Sequence, residues 1–211
     1  MKKLVVLLLM ITLGIGCVAC SKKNPTDTQN TSGVNSEMNQ PTEQDTQKPA
    51  TPSVQVTDSL EILTKVWNSY GEEEKFYAAG GHPDAYVEGK PASYNLSKAE
   101  DLERTFCIPQ ESIQLVDDAA TLQHSMNINN FSAAAYHLKS ASDMQKVVDS
   151  IKDMTLNNQW LCGFPEKLIV VSVGDEYLVS AYGNGELITN FENKLSAVYG
   201  NAVKVMVKED L

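Results

Sequence analysis

Arginine is almost missing from this chain: Arg104 stands alone among 211 residues. A clamp of several guanidinium groups on phosphate or carboxylate is thereby excluded. Cationic side chains as a whole are scarce, with 17 Lys+Arg against 27 Asp+Glu and a formal net charge of −10. Nucleic-acid binding depends on neutralising phosphates with Lys and Arg, so that class falls away too. There is no Cys-x-x-Cys pair, which leaves a thioredoxin-like dithiol unsupported. His82, His124 and His137 stand at neither His-x-His nor i, i+4 spacing, so no zinc-ligand pattern exists. No Gly-x-Ser-x-Gly turn announces a nucleophile. Gly80-Gly81 and Gly183-Asn184-Gly185 are too short to cradle phosphates. The expectation is therefore a protein without metal, cofactor or catalytic constellation, and not an enzyme.

What is present begins with an address. Met1, Lys2 and Lys3 form a positive start, and Leu4 to Ile15 is a nearly unbroken apolar run. The run is too short to span a bilayer and ends in small residues, as a secretory signal peptide does. Two cysteines follow, in Gly16-Cys17 and Val18-Ala19-Cys20-Ser21. Together they resemble a bacterial lipobox, in which a thiol is acylated and the preceding peptide removed. Only a thiolate readily becomes the thioether, and a small residue before it lets the protease close on the bond. Cys20 is the expected attachment site and Cys17 the alternative. Two or more acyl chains, palmitate among them, hold a membrane durably where one does not. The expected location is the outer face of the cell membrane. An ordinary secreted protein cleaved nearby is the other reading.

Residues 21–56 are nearly all Asn, Gln, Thr, Ser, Pro, Asp, Glu and Lys, with Val34, Met38, Ala50, Val54 and Val56 as rare apolar positions. Such a stretch cannot bury enough surface to offset the entropy of ordering, so a disordered polar linker is expected. Its ends as a coil would lie roughly 30–35 Å apart. Residues 56–211 carry 12 Lys+Arg and 23 Asp+Glu, a net of −11. A surface of that sign is repelled by anionic lipid, so membrane contact should run through the acyl group alone.

One α+β domain is expected over 57–211. Asp58 with Glu61 reads as a capping box before Leu60, Leu63, Trp67 and Tyr70 at helical spacing. Glu72-Glu73-Glu74 reads as a solvated face. Residues 76–96 carry Gly80, Gly81, Pro83, Gly89 and Pro91 and read as a long loop. Ser97 with Glu100 predicts a short helix to Phe106, Gln110–Leu115 a helical turn, and Asp118 caps a further helix through Met126. Residues 57–128 thus form a helical part. Residues 129–211 then give strand 131–138, helix from Ser142, strands 168–173 and 176–182, helix from Asn184, and strand 202–208. That order, β-α-β-β-α-β, is the ferredoxin-like split βαβ. It places strands 131–138 and 177–182 centrally and the lysine-bearing last strand at an edge. Both helices then cover one face, and the N-terminal helices cover the other. A homodimer through that face is the alternative.

Cys107 and Cys162 are the thiols left after processing. In an extracytoplasmic compartment they form a disulfide, or stay as two buried thiols, or carry redox or metal chemistry. The segment Asn157–Glu166 joins a helix to a strand and holds Trp160, Gly163, Phe164 and Pro165. Its aromatics either plug the end of the core or form a contact surface for a protein or peptide partner. The exposed strand edge offers a third possibility, a peptide-binding or immunity-type role.

Met126-Asn127-Ile128-Asn129-Asn130-Phe131-Ser132, Gln159–Glu166, Gly80-Gly81 and Val87-Glu88-Gly89-Lys90-Pro91 together resemble an uncharacterised family of lipoproteins from Gram-positive anaerobes. Members are sometimes labelled bacteriocin transport accessory proteins. The resemblance covers about residues 58–208. It implies an accessory role in export and carries over no catalytic residue.

Overall fold

A computed structural model of the chain describes residues 55–161 and 163–211. The expected signal peptide, Cys17, Cys20, the linker as far as Val54, and Cys162 lie outside the described residues. Helix α1 (Ser59–Asn68) begins as its sequence demands. The Asp58 carboxylate accepts from the Glu61 backbone N–H at 2.7 Å. Ile62, Leu63, Val66 and Trp67 bury one stripe. Three short strands follow: β1 (Ala78–Gly80), β2 (Val87–Glu88) and β3 (Ala92–Ser93). They lie where a long loop is expected, and two or three residues apiece leave little period-2 pattern to read. Helix α2 (Glu100–Phe106) starts without the Ser97 cap; Asn95 instead caps a single 3-10 turn at Leu96–Lys98. Helix α3 (Gln110–Ile113) is the expected helical turn.

The largest departure is β4 (Val116–His124), a strand where a helix from Asp118 is expected. Its Ala119, Ala120, Thr121 and Leu122 pair with Tyr136, Ala135, Ala134 and Ala133 of β5 (Phe131–Leu138). Small side chains line this central pair, and its ladder and burial outweigh the helical preference of two alanines. Residues 57–128 are therefore not a purely helical part. After β5 come α4 (Met144–Leu156), β6 (Lys167–Val173), β7 (Tyr177–Gly183), α5 (Gly185–Tyr199) and β8 (Val203–Asp210), each as expected within a residue or two.

The eight strands form one sheet in the order β2-β1-β4-β5-β7-β6-β8, with β3 also paired to β4. Every pair is antiparallel. The fold is α+β, but the strand order departs from the ferredoxin-like one. There the last strand would pair with the first of the motif, β5. Here β4 occupies that side of β5, and β8 adds to β6 instead. β5 and β7 remain central and β8 remains an edge.

This exchange moves a helix. The β5-α4-β6 and β7-α5-β8 crossovers each step two places in the same lateral direction, but from antiparallel strands. Right-handed crossovers then put α4 and α5 on opposite faces. The two cores agree. On one face Ile62, Leu63 and Val66 of α1 join Ile188, Phe191 and Leu195 of α5 over Ala133, Val171 and Val179. On the other, Leu102, Ile113, Val147, Val148 and Ile151 from α2, α3 and α4 cover Ala134, Tyr136, Val170 and Leu178. The N-terminal helices are thus split between the faces, and among the described residues helices cover both of them.

The sheet has two distinct ends. The described chain enters at the end marked by Val116, Leu138, Tyr177 and Val203, where the Ser59 N–H donates to the Asp118 carboxylate at 2.7 Å. The far end carries Ala78, His124, Phe131, Gly183, Lys167 and Asp210. Strands of seven to nine residues separate the two by roughly 23–30 Å.

Candidate functional site

The far end gathers what function there is to read. Tyr77, Met126, Ile128, Leu161 and Phe164 are exposed there by 81%, 80%, 39%, 79% and 80%. They sit on loops tied to one another. The Ser125 N–H donates to the Tyr77 carbonyl at 2.8 Å, joining the first loop to the second. The buried Asn129 amide donates to the carbonyls of Leu161 and Gly163 at 2.9 and 3.0 Å, joining the second to the third. The Asn127 side chain caps the turn holding Ile128–Asn130, accepting from the Asn129 N–H at 3.0 Å. Gly183 lets the base of this assembly close up: a Cβ there would stand 2.2 Å from the Asn130 carbonyl oxygen. Linked loops thus hold five large apolar side chains exposed at one end of the sheet, the kind of clustering that marks a contact site.

The four residues singled out from the sequence divide between two roles. Trp160 is half-buried, its ring 4.9 Å from that of Tyr182 and packed on the α4 side of the core. Pro165 is buried, and Gly163 is exposed with φ +121°, a value glycine tolerates. Phe164 alone among them is a large exposed surface. Tyr77 was not singled out from the sequence. Met126, Ile128 and Asn129 stand there in a resemblance motif and Leu161 within the 157–166 segment, none of them assigned to a surface. Asn129 holds the carbonyls of Leu161 and Gly163. The available signal is apolar residues without period in segments otherwise rich in Asn, next to a strand start.

The thiols are not brought together among the described residues, because Cys162 is outside them. Cys107 is buried in the left-handed conformation at the end of α2, with φ 53°. Burial pushes its thiol up to about 11, despite a hydrogen bond with Thr155. A thiol held protonated is a poor nucleophile and a poor metal ligand, so Cys107 does not favour the thiol-dependent reading.

Each histidine has a local structural task. His82 Nδ1 accepts from the Asp84 N–H at 3.1 Å. His124 stacks on Phe76 and accepts the N–H groups of Met126 and Asn127 at Nδ1, at 3.1 and 3.3 Å, which shapes the loop carrying Met126. His137 lies between Asp117, 2.5 Å from Nδ1, and Glu176, 3.6 Å from Nε2. Burial works against its charge, but the two carboxylates prevail and raise its pKa above the ordinary value. Among the described residues no group of three or more His, Cys, Asp or Glu is placed to hold a metal.

The glycine motifs are structural. A Cβ on Gly80 would lie 2.3 Å from the Ala92 nitrogen and 2.5 Å from the Thr121 carbonyl oxygen, because β1 and β3 crowd the same stretch of β4. At the start of α5, Asn184 accepts from the N–H groups of Glu186 and Leu187, and the Glu166 carboxylate accepts from Gly185 at 2.7 Å. The chain's own carboxylate fills the place an anion would take.

The chain-entry end holds a shallow groove of about 1210 Å³, lined by Val56, Met144, Tyr177, Lys204 and Met206 among others. It is open rather than enclosed, and Gln55, Thr57, Asp175, Glu176 and Asn201 also line it. Among the described residues no helix is long and apolar enough to cross a membrane. No family model, no curated protein and no solved structure matches this chain.

Proposed function

We propose that the protein is an extracytoplasmic lipoprotein, moored through an acylated Cys20 or Cys17, that serves as a non-enzymatic binding or accessory module. The observation that carries the binding reading is the apolar end: exposed Leu161 and Phe164, on a loop whose Leu161 and Gly163 carbonyls Asn129 holds, beside Tyr77 and Met126. The anchor rests on the lipobox and on the polar stretch after it. An accessory, peptide-binding or immunity-type role in bacteriocin export is the narrower form that the family resemblance supports. Contact by strand addition to β8 is less favoured. That edge bears Lys204 and Lys208 and a register shift opposite Val170 and Val171, devices that discourage pairing.

Two measurements test the reading. A fatty-acid label should enter the full chain, persist in one of Cys17→Ala and Cys20→Ala, and vanish in the other; a chain that never takes label refutes the anchor. A photo-crosslinking residue at position 164 should yield a discrete adduct on cells, while the same residue at position 139, at the other end, does not. No adduct from 164 refutes the contact surface.

A further inference from the structure

We infer that the apolar end docks a segment of another protein that is itself apolar and flanked by lysine or arginine. This rests on the binding-module reading above and names the partner's chemistry. The surface is built from Tyr77, Met126, Ile128, Leu161 and Phe164. Three considerations choose its occupant.

The bilayer is disfavoured by charge, and the sheet geometry adds to this. The described chain starts at Gln55, at the opposite end of the sheet, and residues 56–211 carry a net of −11, a sign that anionic lipid repels. The chain's own linker is disfavoured by composition, since residues 21–54 offer only Val34, Met38, Ala50 and Val54 as apolar groups. A second copy is disfavoured by charge. At this end exposed Glu88, Glu186 and Asp210 outnumber exposed Lys90 and the partly buried Lys167 opposite Asp210, and two copies would each bring the same net negative charge. Residues 56–211 as a whole carry a net of −11. A cationic apolar segment satisfies both the greasy centre and the acidic border. Steering by the acidic field speeds its arrival, and burial of the loop side chains holds it.

The test uses the chain from Ser21 onward, without acyl groups. Both cores lie wholly within residues 55–211, so this chain keeps the fold. The probes are two synthetic 16-residue peptides with one shared leucine pattern, carrying Lys or Glu at every polar position. The expected result is saturable binding of the Lys peptide and none of the Glu peptide. Leu161→Ser and Phe164→Ser should each weaken it at least tenfold, while Val205→Ser, exposed on β8, leaves it unchanged. All three residues are exposed, so their loss should not unfold the chain. Lys-peptide binding that ignores the loop variants overturns the inference, as does equal binding of the Glu peptide or no binding at all. Self-association that Phe164→Ser abolishes would make the occupant a second copy. Flotation with phosphatidylcholine or phosphatidylglycerol vesicles that Phe164→Ser abolishes would make it a membrane. Either also overturns the inference. If the crosslinker at 164 captures a partner while the Lys peptide fails, the binding reading stands and the partner's chemistry falls.

Discussion

At the scale of single residues, Asn129 does the most for the candidate site. Its amide holds the carbonyls of Leu161 and Gly163, and burial makes those bonds hard to replace with water. Asn129→Ala should cost about 1–2 kcal/mol in urea unfolding and should raise hydrogen exchange across 160–165 well above that of β5. An unchanged exchange rate there would mean the loop is held by something else. Cys107 makes the opposite kind of statement. With its thiol pushed up to about 11, only on the order of one molecule in a thousand carries a thiolate at pH 8. In reduced protein carrying Cys162→Ser, Cys107 should therefore react with an alkylating reagent only as fast as the domain opens. Prompt labelling would revive thiol chemistry. The sequence marked Cys107 and Phe164 but could not separate them. Whether an apolar residue in an irregular segment faces water depends on partners far along the chain, as with Asn129 and Gly163, 34 positions apart.

At the scale of elements, legibility followed period. α1, α4, α5 and strands β5 to β8 carry long, regular apolar spacing and stand where that spacing puts them. β4 does not. Val116-Asp117-Asp118-Ala119-Ala120 looks locally like a cap and a helix start, and only pairing with the alanines of β5 makes it a strand. The irregularity near its start has a consequence. The register shifts between Val116 and Asp118, so Asp117 stands outside the ladder, where it reaches His137; Glu176 from the β6–β7 turn approaches the same ring. His137 thus ties two elements to β5. Its folded pKa lies above the ordinary value of about 6.5. The stabilisation is therefore complete below about pH 6.5 and is lost as pH rises through the raised folded value. His137→Gln should lower stability by about 0.5 kcal/mol at pH 5.5, the pair being half-exposed. The gap between variant and wild type should close in alkaline buffer. A gap that widens with pH would reverse the assignment.

At the scale of the whole molecule, strand order was the feature out of reach of the sequence. The succession β-α-β-β-α-β is present, yet the last strand joins β6 because β4 has taken the side of β5 it would otherwise use. Pairing choice is a long-range property, and local pattern carries none of it. The choice decides which helix covers which face, and so can be tested energetically. Ile151 of α4 and Phe191 of α5 are both fully buried, in separate cores on opposite faces of the sheet. Ile151→Ala should cost about 2–5 kcal/mol and Phe191→Ala about 3–5 kcal/mol. Smaller steps, Ile151→Val and Phe191→Leu, keep the double variant folded and measurable. With a sheet between them and no shared neighbours, the two effects should sum to within about 0.5 kcal/mol. Were both helices packed side by side on one face, as in the ferredoxin-like arrangement, the two cavities would relax into each other and the sum would fail. Additivity in urea unfolding thus reports the three-layer architecture. That architecture closes both faces of the sheet, leaving its ends and edges for contact.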